Sequence, residues 1–302
     1  QGVSRIIKPI TNKHNVVGII ESPPRVKIKS KNTVKRVISY IYSISIGKTR
    51  NLRLFSKNAN IPYYLMNNGS DLNLENWVKK LKPDLIIIYL MSQLLNRNIF
   101  DIPTYKTINL HPAYLPEYRG PNPWFWYYYN QKKEGGVTLH FIDEGEDTGD
   151  IIFQEKYDIP LGMKSPEMQN LAIGKIGVRM ILKAIENLGN LPRKSQPKIS
   201  NSKRARNIKK NEHHGLIDWN NWSIKRIWHL LRGTELWLNA LEQPKGFCKG
   251  HRWIIENYEE CCTRNYRVSK IYKEKKRYFV VCKKGKIYLT INFRIKKFIL
   301  NM

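Results

Sequence analysis

Two side chains that could share a reaction centre stand two residues apart at the end of an apolar run: Asn109 and His111, in Ile108-Asn109-Leu110-His111-Pro112. In extended backbone, residues i and i+2 project to one face, so an amide and an imidazole would point together. Downstream, Gly145-Glu146-Asp147-Thr148-Gly149-Asp150 puts a carboxylate in a turn just ahead of another strand-like segment. Together the three groups could bind a polar ligand and handle a proton. Taken alone, Asn-x-His is an ordinary loop pair, and the combination with the carboxylate turn is what gives it weight. A second grouping, Cys248, His251, Cys261 and Cys262, could be drawn around zinc, since a thiol three residues before an imidazole is a usable spacing. Adjacent thiols make an awkward tetrahedral pair, however, and the usual second spaced pair is missing. The sequence therefore predicts reduced thiols in a small β domain and no metal site.

The elements that must position the first group are readable in outline. Residues 14–20 form a short apolar run closed by Ser22-Pro23-Pro24, and residues 84–90 form a second, both in the manner of buried strands. Between them, residues 71–81 carry Leu72, Leu74, Trp77, Val78 and Leu81 at helical spacing. Alternating strands and helices imply βαβ units and a mostly parallel sheet. The run 105–110 then leads into Asn109 and His111, placing them at the carboxyl end of a strand, where such sheets bind ligands. Residues 136–142 and 150–159 predict two more strands, and 165–188 a long helix.

From residue 191 the composition turns to Pro, Ser, Asn, Lys and Arg, which predicts a linker. Beyond it, 222–235 predicts a helix with Ile224, Ile227, Trp228, Leu230 and Leu231 on one face. Short alternating runs at 252–255, 278–282 and 287–291 then argue a small β-barrel or sandwich. The expected organisation is a catalytic domain over 1–190, a basic linker over 191–212 and a β-rich domain over 213–302.

Length and composition are consistent with that division. A chain of 302 residues with 41% apolar content can bury two cores and is not disordered as a whole. Its longest apolar runs are strand-sized, far short of the ~20 residues of a membrane span. Gln1-Gly2-Val3-Ser4-Arg5 opens on a mixed segment rather than a signal peptide, and the lysine-rich, disulfide-poor composition predicts a cytoplasmic protein. The formal charge is +29. Residues 1–190 contribute +10, whereas residues 191–302 hold 27 basic and 8 acidic residues, a net +19. Ten basic residues also fall between Arg25 and Lys57 without an acidic one. Such a field attracts nucleic acid, nucleotide phosphates or acidic membrane; a general drift toward Lys, Ile, Asn and Tyr would produce the same numbers without any partner.

With these residues in view, a family resemblance emerges. The stretch Ile108-Asn-Leu-His-Pro-Ala-Tyr-Leu-Pro-Glu-Tyr-Arg-Gly120, followed by Gly136-Val-Thr-Leu-His-Phe-Ile-Asp-Glu-Gly-Glu-Asp-Thr-Gly149, resembles the catalytic core of the formyltransferases that use 10-formyltetrahydrofolate. That family includes glycinamide ribonucleotide, methionyl-tRNA and nucleotide-sugar formyltransferases. The resemblance runs from about residue 16 to 188, and Gly215-Leu-Ile-Asp-Trp219 and Leu230-Leu-Arg-Gly233 look like the junction into the C-terminal domain of the latter two groups. It implies a Rossmann-like α/β catalytic domain and a barrel-like C-terminal domain. It also implies a catalytic triad of Asn109, His111 and Asp147. An amine attacking a formyl carbonyl generates an oxyanion, which Asn109 and a protonated His111 would stabilise while Asp147 raises the imidazole's proton affinity. By the same likeness Ser92, Gln93, Leu94 and Leu95 match the loop whose backbone binds the pterin, and Ile142, Asp143 and Glu144 match the loop closing over it. Read without the likeness, Leu94 and Leu95 are ordinary core residues, and His140 is structural.

Departures bear on the acceptor. The chain opens on what reads as a first helix, residues 2–9, without the strand that should precede it, which implies upstream residues. Pro121-Asn-Pro-Trp-Phe-Trp126 replaces the Ala-rich continuation of methionyl-tRNA formyltransferases, and the basic residues 23–29 lack their glycine-containing loop. The aromatic trio Trp124, Phe125 and Trp126 would shape a sugar or nucleotide pocket, or pack as helix core. The sequence therefore favours a nucleotide-linked amino sugar as acceptor, with charged initiator tRNA as the alternative.

Overall fold

The computed structural model describes residues 2–22, 52–199 and 201–293. Residues 23–29, and all of the basic stretch 25–57 except 52–57, lie outside them. Packing divides the chain into two units that interleave in sequence: Gln1–Pro123, Gly135–Tyr157 and Gln169–Ala205 form one, and Trp124–Glu134, Asp158–Met168 and Arg206–Met302 the other. Composition divides the chain at 190 and 212, whereas packing keeps the basic segment up to Ala205 with the first unit.

In the first unit, β1 (Ile19–Glu21) pairs in parallel with β2 (Tyr63–Leu65). The predicted helix spans Leu72–Leu81. Asp71 caps it, accepting from the backbone N–H groups of Asn73 and Leu74 at 3.1 and 3.3 Å, which satisfies donors the first turn cannot pair internally. Its inner face buries Leu74 and Val78 in a core with Met66, Ile88, Leu95, Ile99 and Phe100. A four-stranded sheet follows in the order β3 (Ile86–Ile88), β4 (Thr107–His111), β5 (Glu134–Phe141), β6 (Ile151–Asp158). β3 and β4 run parallel, and β5 turns antiparallel to β4.

β4 explains the placement of the candidate groups. Ile108 and Leu110 are fully buried on one face, while Thr107, Asn109 and His111 share the other. Thr107 and His111 are also buried, so the polar face of this strand is an enclosed site rather than solvent-facing sheet. A one-residue slip would exchange the two sets. The helix expected over 165–188 is instead broken into α-helix Ser165–Gln169, a π-helical stretch Asn170–Gly177 and α-helix Val178–Glu186.

The second unit centres on an antiparallel sheet of order β7 (Arg252–Glu259), β10 (Gly285–Asn292), β9 (Arg277–Cys282), β8 (Ile271–Glu274). Among the described residues this sheet has two edges, β7 and β8. Lys275 and Lys276 both adopt positive φ (43° and 67°) between β8 and β9, the conformation of a tight type I′ hairpin. Helix Ile224–Thr234, capped by Ser223, lies on β7: the Trp228 indole donates to Glu256 O (2.5 Å) and Arg232 to Ile255 O (2.9 Å). The aromatic trio falls on helix Pro123–Tyr129. Phe125 is buried and packs against Trp126, Tyr129 and Trp237, so it is part of this unit's core. Among the described residues no helix is long and apolar enough to cross a membrane.

Candidate active site

Asn109 and His111 leave the carboxyl end of β4 on one face, and the antiparallel register sets Asn109 directly opposite His140 and His111 opposite Thr138. Cross-strand partners on one face lie within side-chain reach, and the loop after β5 brings Asp147 to the same place. The Asn109 amide donates to Asp147 Oδ1 (3.2 Å) and to His140 Nε2 (3.1 Å). His111 Nδ1 lies 3.5 Å from Asp147 Oδ2, and His140 Nε2 lies 3.6 Å from Oδ1. The Gly120 N–H donates to Asp147 Oδ2 at 2.8 Å. Gly120 holds this pose at φ +115°, a conformation side chains resist, with Ala205 O 3.1 Å from where a Cβ would stand. Gly149 is needed for a different reason: a Cβ there would meet Phe141 O at 2.1 Å. Asp147 itself sits at φ +57°.

These contacts fix the protons. His111 Nε2 faces Tyr118 O at 3.0 Å, and a carbonyl only accepts, so the hydrogen is on Nε2 and Nδ1 turns toward Asp147. His140 Nδ1 likewise faces Phe141 O at 2.7 Å, leaving Nε2 to accept from Asn109. Burial pushes the Asp147 carboxyl up, but the neighbouring His111 and His140 imidazoles and the Gly120 N–H outweigh it and hold it at about 2. His111 is shifted the other way from the expectation of an imidazolium. Burial depresses its proton affinity, reinforced by His140 and only partly opposed by Asp147. At neutral pH the resting pair is an ionised Asp147 beside a neutral His111.

An amide, a neutral imidazole and a carboxylate enclosed together suit acyl transfer to an amine, and the sequence comparisons point the same way. Residues 7–185 match the formyl transferase family. The chain belongs to that family. Methionyl-tRNA formyltransferase from Clostridium beijerinckii is 30% identical over 236 residues, covering 78% of this chain and 70% of that protein. Its namesake from Clostridium acetobutylicum is 28% identical, covering 76% and 69%. Among solved structures, WlaRD, a sugar 3N-formyl transferase solved with dTDP and 5-N-formyl-THF, aligns with TM-score 0.51 and 18% identity over 97% of this chain and 93% of that one. HypX from Aquifex aeolicus in complex with tetrahydrofolic acid aligns with TM-score 0.57 and 17% identity over 78% of this chain, which spans 40% of HypX. At these identities the two structures show a shared fold. Formyl transfer is thus the reaction class of this enzyme.

The two loops expected from the sequence to hold folate divide between packing and exposure. Leu95 is buried in the core, whereas Leu94 is 55% exposed and Leu90 54%. Met91 and Ile142 pack half-buried on the same core, so the 91–95 and 142–144 segments meet over one apolar base. The Ser92 N–H is held by Ser22 Oγ at 3.1 Å, and Gln93 is half-buried. Asp143 and Glu144 spend their side chains locally: Asp143 Oδ1 accepts from Gly145 N (3.0 Å) and Thr148 Oγ1 (2.7 Å), and Glu144 pairs with Arg97. Sequence reasoning read His140 as structural without its tie to Asn109, which arises only from the register of two strands. The four cysteines are free thiols, and among the described residues no three His, Cys, Asp or Glu side chains form a metal-holding group.

Proposed function

We propose that this formyl transferase acts on the primary amine of methionyl-tRNA, using Asn109, His111 and Asp147 as its reaction centre. The observation that carries the chemistry is the enclosed contact set of Asn109, His111 and His140 around one ionised carboxylate at the end of β4. When bound over the 91–95 and 142–144 loops, 10-formyltetrahydrofolate supplies the electrophilic formyl carbon. Neutral His111 takes the proton lost by the attacking amine at Nδ1, Asp147 Oδ2 stabilises the imidazolium so formed, and the proton then passes to the folate nitrogen released as its bond to the formyl carbon breaks. Asn109 offers its amide hydrogens where negative charge develops on oxygen. His140 Nε2 and Asp147 Oδ1 keep that amide aimed until then.

The acceptor follows from two supports. The relatives by sequence are methionyl-tRNA formyltransferases, and residues 191–302 carry a net +19, a footprint suited to many phosphates. Residues 1–190 would carry the reaction and 213–302 the acceptor's backbone. Free thiols support a cytoplasmic setting. One observation favours the second reading, a nucleotide-linked amino sugar: the Pro121-to-Trp126 sequence departs from the pattern of the tRNA enzymes.

Salt separates the two. With methionyl-tRNA as acceptor, log affinity should fall steeply with log salt, in proportion to the phosphates engaged. A nucleotide sugar offers one diphosphate and a shallow slope. Formylation of a panel of nucleotide-linked amino sugars, with none of methionyl-tRNA at any salt, would replace the first reading by the second.

A further inference from the structure

The segment after residue 191, expected as a linker, is tied into both loops of the reaction centre. The Gln196 amide donates to Asp147 O at 3.1 Å and to Gly149 O at 2.6 Å. Its Oε1 accepts from Arg119 Nη2 at 2.8 Å, and the same guanidinium donates to Pro197 O at 3.0 Å. Arg119 adjoins Gly120, whose N–H holds the Asp147 carboxylate. Backbone bonds close the assembly, Ala205 N to Arg119 O at 2.7 Å and Asn122 N to Ala205 O at 2.9 Å. Contacts therefore run in a ring: Asp147 carboxylate, Gly120, Arg119, Gln196 side chain, Asp147 carbonyl.

Asp147 needs such bracing. It adopts a left-handed φ of +57°, uncommon for a residue with a Cβ even though Asp tolerates it better than most. Two carbonyls on either side of Thr148 both require a donor, and a primary amide carries two hydrogens on one atom. A carboxylate at position 196 could still pair with Arg119 but would set oxygen against both carbonyls.

We propose that Gln196 is a positioning residue: by bridging the carbonyls flanking Thr148 to Arg119, it locks the Asp147 turn and so aims the carboxylate at His111 and Asn109. The idea rests on the formyl-transfer reading for its kinetic consequence but not for its structural one. Gln196→Met keeps the length and loses every bond, and Gln196→Glu keeps only the pairing with Arg119. Both should lower kcat by about 10- to 100-fold, the effect of misplacing a reacting group by about 1 Å, with KM for donor and acceptor nearly unchanged. The rise of kcat with pH should also move in both variants, because His111 loses a fixed carboxylate. Hydrogen exchange, read by mass spectrometry on full-length protein without substrate, should quicken across residues 143–152 and stay unchanged across β7 to β10. Gln196→Asn, shorter by one methylene and able to keep a donor, should fall between wild type and Gln196→Met, and it serves if the larger change prevents folding. Wild-type kcat and wild-type exchange in Gln196→Glu would overturn the proposal. Altered exchange in a protein inactive on every acceptor would instead overturn the formyl-transfer reading and leave the bracing intact.

Discussion

Both packing units bury histidines, and two pairs of them, one in each unit, are built to opposite ends. In the first unit His111 and His140 are 4% and 1% exposed and share a single carboxylate, Asp147. In the second, His213 and His229 are 6% and 2% exposed, and each accepts one backbone N–H at Nδ1: from Asn239 at 3.0 Å and from Gly162 at 2.9 Å. Burial lowers the proton affinity of His111, His213 and His229 alike. The difference lies in what a proton would meet. At His111 it would arrive on a nitrogen 3.5 Å from an ionised oxygen, so the charged form has a counter-ion waiting. At His229 it would have to displace the Gly162 N–H from the only free lone pair, with no carboxylate beside it. Equal burial thus yields a group that can cycle its proton in one unit and a fixed strut in the other.

Removing the counter-ion should break this contrast most visibly. Asp147→Asn keeps shape but leaves a protonated His111 unsupported, and turnover should fall at least ~100-fold. The wild-type pH profile offers a check on the same point. Asp147 is ionised above about 2, so activity should rise once, as His111 loses its proton below its ordinary value, with no separate carboxylate step above about pH 3. Asp147→Asn with more than a tenth of wild-type turnover would remove the carboxylate from the mechanism.

The histidine of the other unit should show itself in stability instead. Burial holds His229 at about 4, against about 6.5 in an unfolded chain. Between those values the unfolded state binds more protons, so stability rises with pH, and it is lost as pH falls from 6.5 toward 4. The loss from this group is at most about 1.4 kcal/mol per pH unit. His229→Gln can still accept the Gly162 N–H and does not titrate. Urea unfolding of wild type and His229→Gln at pH 7 and pH 5 should show the variant losing less, with turnover within about 2-fold. Equal acid losses in both proteins would mean that His229 does not set this window.

How much of this was legible in sequence depended on whether the determining contact was local. Asn109 and His111 could be read because period two in β4 is a property of neighbouring residues, and Asp147 because its turn has its own motif. His140 could not, since its pairing with Asn109 depends on the register between strands 31 residues apart. Gln196 was hidden for a different reason: composition reports average polarity, and one amide among lysines and prolines looks like linker whatever it touches. The neutral state of His111 needed the burial of the finished fold. Leu94 and Leu95 show the limit at its finest, because adjacent identical residues in one loop end up exposed and buried, and only the packed chain decides which.

The smallest expected effect on turnover comes from repeating the Asp147 substitution at a carboxylate that has no histidine partner among the described residues. Asp71 is buried, where Asp147 is half-buried, and it is ringed by donors: the N–H groups of Asn67, Asn73 and Leu74 and the Tyr64 hydroxyl. Those bonds, led by the Asn67 N–H, hold its carboxyl below the ordinary value. The sign is that of a depressed acid. Asp71 contributes stability above the unfolded carboxylate's pKa of about 3.9, and that contribution is lost as pH falls through its folded value. Asn is as good an N-cap as Asp, so Asp71→Asn retains the bonds to Asn73 and Leu74 but turns an NH2 toward the Asn67 N–H, which loses its acceptor. The cost at pH 7 should be about 1–3 kcal/mol of stability, and turnover should stay within about 2-fold of wild type. If Asp71→Asn instead cut turnover as deeply as Asp147→Asn, carboxylate burial alone would matter, and the pairing of Asp147 with His111 would lose its special standing.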